Sequence, residues 1–451
     1  MRKLAVPVAR LLLALLLVIS QVGTARAASV IRDTEIEAMI RAIADPIFHA
    51  ARLEPSAIDM YVLSDPVLNA FVAGGQNMFL NTGLLIRTET PEELAGVIAH
   101  ETGHIAGGHL TRLMQAMDRA SAQSAIGMIL GMAAAVAGAP QLGTAIMAGG
   151  LTVAQRGVLS FSRSQEQQAD QAGVGFLADV GLPPEGMRAF FQTLDRQNLR
   201  ITTGGDVYLR THPLTADRID FLREQEVRSP LAGRTLSPAL HEAHARSRAK
   251  LDAFLGEPRA MLTKYQGDTV TDRYARAIAH HRLANLDEAL ALVRGLEAEA
   301  PGDPYFHELE GQILFENGRV ADAVAPYREA LRLKPDAALI RLGLARALLE
   351  LGQEPATREA AAALREVTRL EPRTAQAWRF LGIALGRLGE EGPASLALVE
   401  QAVLLDKKRD AKFHLGRAKQ HVQAGDPAWL RLQDLEREVE EMEDEERRRR
   451  R

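Results

Sequence analysis

Two histidines and a glutamate define the chemistry open to this chain: His100, Glu101 and His104, within Val97-Ile98-Ala99-His100-Glu101-Thr102-Gly103-His104-Ile105-Ala106. On a helix advancing about 100° per residue, positions four apart share a face, so both imidazoles can reach one cation. Glu101, beside the first of them, is placed to take a proton from a water that zinc acidifies to a pKa of about 7. The apolar Val97, Ile98, Ala99, Ile105 and Ala106 around them fit a helix buried in a domain core. Without a metal, those buried polar groups would lack partners. The stretch reads as two metal ligands with a general base, and a third ligand is needed.

The next histidine does not supply it. His109 follows Gly107-Gly108, which ends or bends the helix, and lies about 180° around it from His100. A metzincin would carry its third histidine where this chain has Leu110. Glu166 and Asp170 are better placed, four apart in the helical pattern continued by Val174 and Leu177. One carboxylate suits a zinc ligand, and the other can accept the spare N–H of a ligand histidine and fix its tautomer.

Local signals say how these residues are held. Thr90-Pro91-Glu92-Glu93 supplies an N-cap, a proline at the first helical position and a glutamate three residues past the cap, so the metal helix starts there. Before it, Tyr61 to Leu63, Asn69 to Ala73 and Asn77 to Leu80 are short β-prone runs broken by Asp65-Pro66 and Gly74-Gly75. They read as a small antiparallel sheet with a hairpin. An edge strand beside the metal would accept an extended peptide as a further strand. Ile31 to Ala51 has its apolar residues at helical spacing and covers this domain. Ala122 to Ala154, rich in Gly, Ala and Met, reads as two helices near the site: a lid, a membrane-surface contact or plain core.

With Ser162-Arg163-x-x-Glu166-x-x-Ala169-Asp170 following the HExxH stretch, the chain resembles the gluzincin metalloproteases of the CAAX prenyl endopeptidase and HtpX type. Asn69-Ala70-Phe71, Gly74-Gly75 and Gly83-Leu84-Leu85 match that pattern ahead of the zinc helix. The resemblance implies that His100, His104 and Glu166 bind one zinc ion, that Glu101 is the catalytic base and that Asp170 supports a ligand. It assigns Asn69, Ala70 and Phe71 to substrate binding. Leu209-Arg210-Thr211-His212-Pro213-Leu214-Thr215-Ala216-Asp217-Arg218-Ile219 resembles the family's later His-Pro…Arg-Ile segment. His212 would then stabilise an oxyanion or take the fourth zinc position and hold the enzyme inactive, and Arg218 is a further oxyanion candidate.

Composition bounds the rest. The chain has 451 residues, 47% hydrophobic and 25% charged, a net charge of -4 and no cysteine. Nothing in it argues for nucleic acid. Arg2, Lys3 and Arg10, then Leu11 to Val18 and Ala25-Arg26-Ala27, read as a secretory signal cut before Ala28, and a cysteine-free exported protein fits a periplasm. After the signal no segment is a convincing membrane span, so membrane contact is at most peripheral.

Pro301, Pro335 and Pro372 close successive helical segments near the roughly 34-residue tetratricopeptide period. Gly311, Ala323, Tyr327 and Ala330 fit one repeat, and Trp378-x-x-Leu381-Gly382-x-x-Leu385 opens another. The expected organisation is a signal peptide at 1–27, a zinc protease domain at 28–228, a linker at 229–265, repeats at 266–428 and a charged C-terminal tail at 429–451, whose acidic Glu440 to Glu446 and basic Arg447 to Arg451 blocks read as solvated. The fold class is mainly α: an α+β catalytic domain followed by a helical solenoid.

The function that follows is an exported zinc endopeptidase acting on unfolded or misassembled proteins. Resemblance to the β-barrel assembly-enhancing branch implies periplasmic quality control of outer-membrane proteins, with the assembly machinery as a partner. The alternative is a chaperone or adaptor whose zinc is structural or masked.

Overall fold

The first long helix, Thr34–Ala50, follows from its own sequence. Asp33 caps it by accepting the Ile36 amide at 2.9 Å, and Ile36, Ile40, Ile43 and Ile47 form its buried face. This computed structural model describes residues 29–73, 76–109, 163–198, 212 and 215–449. The signal segment 1–27, Gly74-Gly75, Leu110, Ala122 to Ala154, and the residues around His212 at 209–211 and 213–214 lie outside the described residues.

Four short strands follow or flank that helix: β1 (Val30–Ile31), β2 (Met60–Leu63), β3 (Ala70–Ala73) and β4 (Asn77–Asn81). Their order is β1-β2-β4-β3. β3 and β4 pair antiparallel, as the hairpin reading expects, but β2 runs parallel to β4, so the sheet is mixed where an antiparallel one was expected. The cause is non-local. β4 has β3 on one side and takes β2 on the other, and β2 reaches it from the same end. Val62, Ala70, Met78 and Leu80 face the core. β3 lies at the sheet's edge and packs on the metal helix, Pro91–Ala106.

That helix begins as its sequence predicts. Thr90 Oγ1 accepts the Glu93 amide at 3.3 Å and Pro91 takes the first helical position. It ends at Gly107, and Gly108 follows with φ of 60°, a left-handed conformation that glycine adopts without strain. Helix 163–179 crosses it at very close range: a Cβ on Gly103 would lie 2.7 Å from the Ala169 carbonyl oxygen. Glycine at 103 therefore lets two backbones touch at the site. Helix Glu185–Asn198 packs against the same helix, adding Phe190, Phe191 and Leu194 to the core.

The stretch expected to link the two parts is largely helical. It contains helices Pro238–Leu255 and Pro258–Lys264, and the first packs on both Thr34–Ala50 and Val270–Arg282. Leu251 joins the peptidase-side core and Ala249 and Ala253 the repeat-side core. Buried ion pairs accompany this contact. Arg246 bridges Glu35 and Asp303, Lys250 pairs with Asp33, and Tyr274 donates its hydroxyl to Glu35 at 2.8 Å.

Beyond it, helices of 13 to 17 residues alternate from Val270 to Leu404 as antiparallel pairs, each packed on the next. Tyr327 shows why the repeat pattern needs small residues: its ring lies against Gly311 of one helix and Gly343 of another. The stretch read as a charged tail forms a helix, Trp429–Arg449, whose Leu432, Leu435 and Val439, ahead of the acidic and arginine blocks, pack on the preceding helices. That apolar stripe at helical spacing outweighs the flanking charge. Among the described residues, no helix is long and apolar enough to cross a membrane.

Candidate metal centre

His100, His104, Glu166 and His212 each offer one donor atom to a common point, and these atoms all lie within 4.8 Å of one another. The Pro91–Ala106 helix delivers His100 and His104, helix 163–179 delivers Glu166, and His212 lies four positions before helix Ala216–Arg228. The separations are tight. His100 Nε2 is 3.1 Å from His104 Nε2, 3.3 Å from His212 Nδ1 and 3.3 Å from Glu166 Oε2. Glu166 Oε1 is 3.4 Å from His104 Nε2 and 3.2 Å from His212 Nδ1. Four nitrogen and oxygen ligands held tetrahedrally at 2.0–2.1 Å are themselves about 3.3–3.4 Å apart. The separations from His100 Nε2 and Glu166 Oε1 are of the size expected between ligands of one tetrahedral metal ion.

The surroundings orient those donors. Asp170 Oδ1 accepts the Nδ1 hydrogen of His100 at 2.9 Å, leaving the Nε2 lone pair for the centre. Arg218 donates to the same carboxylate through Nε at 2.6 Å and Nη2 at 2.9 Å. It also contacts Glu166 Oε2 at 3.1 Å and stacks on Phe191 at 4.8 Å. Arg218 is 2% exposed, and its planar fork is taken up by carboxylates.

His109 is absent from the donor group, in line with its rejection as a ligand, yet it belongs to the site. Its Nδ1 lies 3.0 Å from His104 Nδ1 and its Nε2 lies 3.2 Å from Gln168 Oε1. A proton on Nε2, donated to the amide oxygen, leaves Nδ1 to accept from His104 and turns the His104 Nε2 lone pair inward. Sequence reasoning missed this contact, and the five-residue spacing from His104 was its only signal.

Glu101 is buried beside the donors, and neither carboxylate oxygen has a hydrogen-bond partner among the described residues. His212 Nε2 lies 3.6 Å from its Oε1. Burial raises the Glu101 pKa, as suits a group that must hold a proton in passing. Burial opposes charge on His100, but hydrogen bonds to Asp170 and Glu166 outweigh it and push the ring up to about 9. Burial, with His100 and His212 nearby, keeps His104 well below its ordinary value. Despite burial, hydrogen bonds from His100 and His212 hold Glu166 low, and those from Arg218 and His100 do so for Asp170. Glu166 and Asp170 share the Arg218 guanidinium, and the buried carboxyl of Glu101 lies beside them, an acid-rich donor set of the kind that a divalent cation takes. The residues present fit a metal.

Residues 30–226 match peptidase family M48. The chain is a metalloprotease with an M48 domain followed by tetratricopeptide repeats. The repeats match at residues 311–352 and 342–392. Over 410 residues the chain is 27% identical to the beta-barrel assembly-enhancing protease of Yersinia pestis, covering 88% of this chain and 82% of that one. The protease of the same name from Escherichia coli strain K12 is 26% identical over 408 residues, covering 87% and 82%. A putative beta-barrel assembly-enhancing protease of Vibrio cholerae is 26% identical over 413 residues, covering 89% and 83%.

The segment expected to bind substrate sits on the edge of the M48 sheet. Asn69 and Ala70 are buried side chains, so they present little but backbone, whereas Phe71 is half-buried on the outer face of β3.

Proposed function

We propose that this chain is an exported zinc endopeptidase that cleaves unfolded or misassembled envelope proteins, with the repeats holding clients or the outer-membrane assembly machinery. The observation that carries the catalytic reading is the convergence of donor atoms from His100, His104, Glu166 and His212 beside the carboxylate of Glu101, which has no hydrogen-bond partner among the described residues. His100, His104 and Glu166 hold the ion, and its identity as zinc rests on that donor chemistry. When bound there, zinc supplies Lewis acidity to the substrate carbonyl and to the attacking water.

Glu101 takes the proton of the water and passes it to the leaving amine, and its buried position favours both transfers. Asp170 fixes the His100 tautomer, and Arg218 acts behind Asp170 and Glu166 rather than at an oxyanion. The edge strand β3 orients an extended substrate. The role in envelope quality control and the periplasmic location draw support from the names of the relatives and from the signal-like N-terminus.

His212 Nδ1, inside the donor set, favours a resting state in which this side chain fills the position a catalytic site keeps open for water. His212 must then move before substrate is cut.

The test compares the unmodified chain with Glu101→Gln, measuring bound zinc and cleavage of an unfolded protein. Zinc in both and cleavage only by the unmodified chain is the expected result. Zinc in both with client binding but no cleavage by either, under any condition that dislodges His212, would favour the adaptor function.

A further inference from the structure

We propose that Phe71 selects the substrate: the cleft takes an extended segment bearing an aromatic side chain opposite Phe71, which continues an aromatic stack across the sheet. The inference rests on the endopeptidase reading above and names the sequence class that the same site prefers.

The backbone comes first. The Asn81 amide donates to the Asn69 carbonyl at 3.0 Å, and the register runs Ala70 to Leu80, Phe71 to Phe79, Val72 to Met78 and Ala73 to Asn77. Hydrogen-bonded pairs alternate along an antiparallel ladder, so Phe71 and Ala73 point their N–H and C=O groups at β4. Ala70 and Val72 point theirs the other way. Among the described residues no strand pairs with that outer edge. An incoming strand would bond to Ala70 and Val72, with the residue between those two contacts facing Phe71 in a non-hydrogen-bonded pair. In such pairs the side chains approach most closely, with Cα atoms about 4.5 Å apart.

The side chains come second. Tyr61, Phe79 and Phe71 lie in register on three adjacent strands and on one face. Their rings are stacked, with centroids 5.1 Å apart for Tyr61 and Phe79 and 4.9 Å for Phe79 and Phe71. All three are half-buried. The stack ends at Phe71, on the strand that borders the metal helix, so the outer side of its ring is where a substrate strand would add the next member. Aromatic pairs in this geometry have a preference that apolar area alone does not provide. An occupant with alternating aromatic or β-branched residues, as in strands of a β-sheet protein caught before folding, satisfies both the edge and the stack.

The experiment maps every cut made by the full chain in an unfolded protein substrate by mass spectrometry. The expected result is enrichment of Phe, Tyr and Trp over Ala by about two- to ten-fold at one fixed distance from the cut bond. Phe71→Ala removes that enrichment, and Phe71→Lys shifts the preference at the same position toward Asp and Glu. Each figure is a ratio within one variant, so the folded fraction does not enter. A cut pattern with no preferred position, or one unchanged in both variants, overturns the role of Phe71 while leaving the endopeptidase reading intact. Failure of the unmodified chain to cut anything is a failure of that reading instead. Docking is then read on Glu101→Gln by fluorescence anisotropy, using strand peptides with Phe or Ala at the central position. Equal affinity for the two peptides overturns the inference, and tighter binding of the Phe peptide, lost in Phe71→Ala, supports it.

Discussion

His100 donates its Nδ1 hydrogen to Asp170 across 2.9 Å, while Arg218 grips the same carboxylate from behind. The pair sets which lone pair of His100 faces the metal centre. Asp170→Asn keeps an acceptor for His100 but turns an amide N–H toward Arg218, so zinc affinity should fall about 10- to 100-fold in a chelator competition. Asp170→Ala additionally leaves a buried guanidinium short of its main partner, which costs about 3–5 kcal/mol in denaturant unfolding. Unchanged zinc affinity in both variants would remove Asp170 from the site.

His109 acts on the other ligand histidine. His109→Phe fills similar space and deletes the acceptor that faces His104 Nδ1 at 3.0 Å. Zinc affinity should weaken by about ten-fold or more, and His109→Gln, which can still accept, should recover part of the loss. Equal affinities across the three proteins would make the contact incidental.

Gly103→Ala tests the close crossing that brings Glu166 and Asp170 to the histidines. The added methyl would meet the Ala169 carbonyl oxygen at 2.7 Å, a backbone atom that cannot swing aside. Separation of the two helices should cost about 1–3 kcal/mol in urea unfolding and weaken zinc binding as well. Full stability in this variant would contradict the packing.

What was legible in the sequence, and what was not, divides by range. The His100–His104 pair follows from local helix geometry, and Thr90 and Pro91 mark the start of that helix. His109 escaped because the helical wheel stops applying at Gly107. The positive φ of Gly108 turns the chain back, so a residue placed opposite His100 on the wheel meets His104. The strands were legible and their partners were not: the parallel pairing of β2 with β4 is decided by packing across the sheet. Charge blocks hid the Leu432, Leu435 and Val439 stripe, which needs the preceding helices to bury it. Arg218 was visible as a cation near the site, but its engagement by Asp170 appears only in the folded chain.

His244 makes stability depend on pH away from the metal. It is 1% exposed, contacts Thr88 Oγ1 at 3.1 Å, and burial followed by the charge of Arg248 pushes its pKa down to about 3. The unfolded chain takes up this proton near pH 6.5 and the folded chain only near 3, so acid favours unfolding across that window. The contribution is complete above pH 6.5 and should have lost about 2 kcal/mol by pH 5. His244→Gln should flatten the fall in unfolding free energy between those values. An equally steep fall in the variant would show that other groups cause it.

The most direct measurement of the central claim is X-ray absorption at the zinc edge on the purified full chain and on His212→Ala, with zinc content determined for each. One zinc per chain in a four-coordinate nitrogen and oxygen shell, with one imidazole fewer in the variant and faster cleavage of an unfolded protein, is the predicted result. No stoichiometric zinc, or a shell identical in the two proteins, would contradict the assignment of these four residues to a single metal.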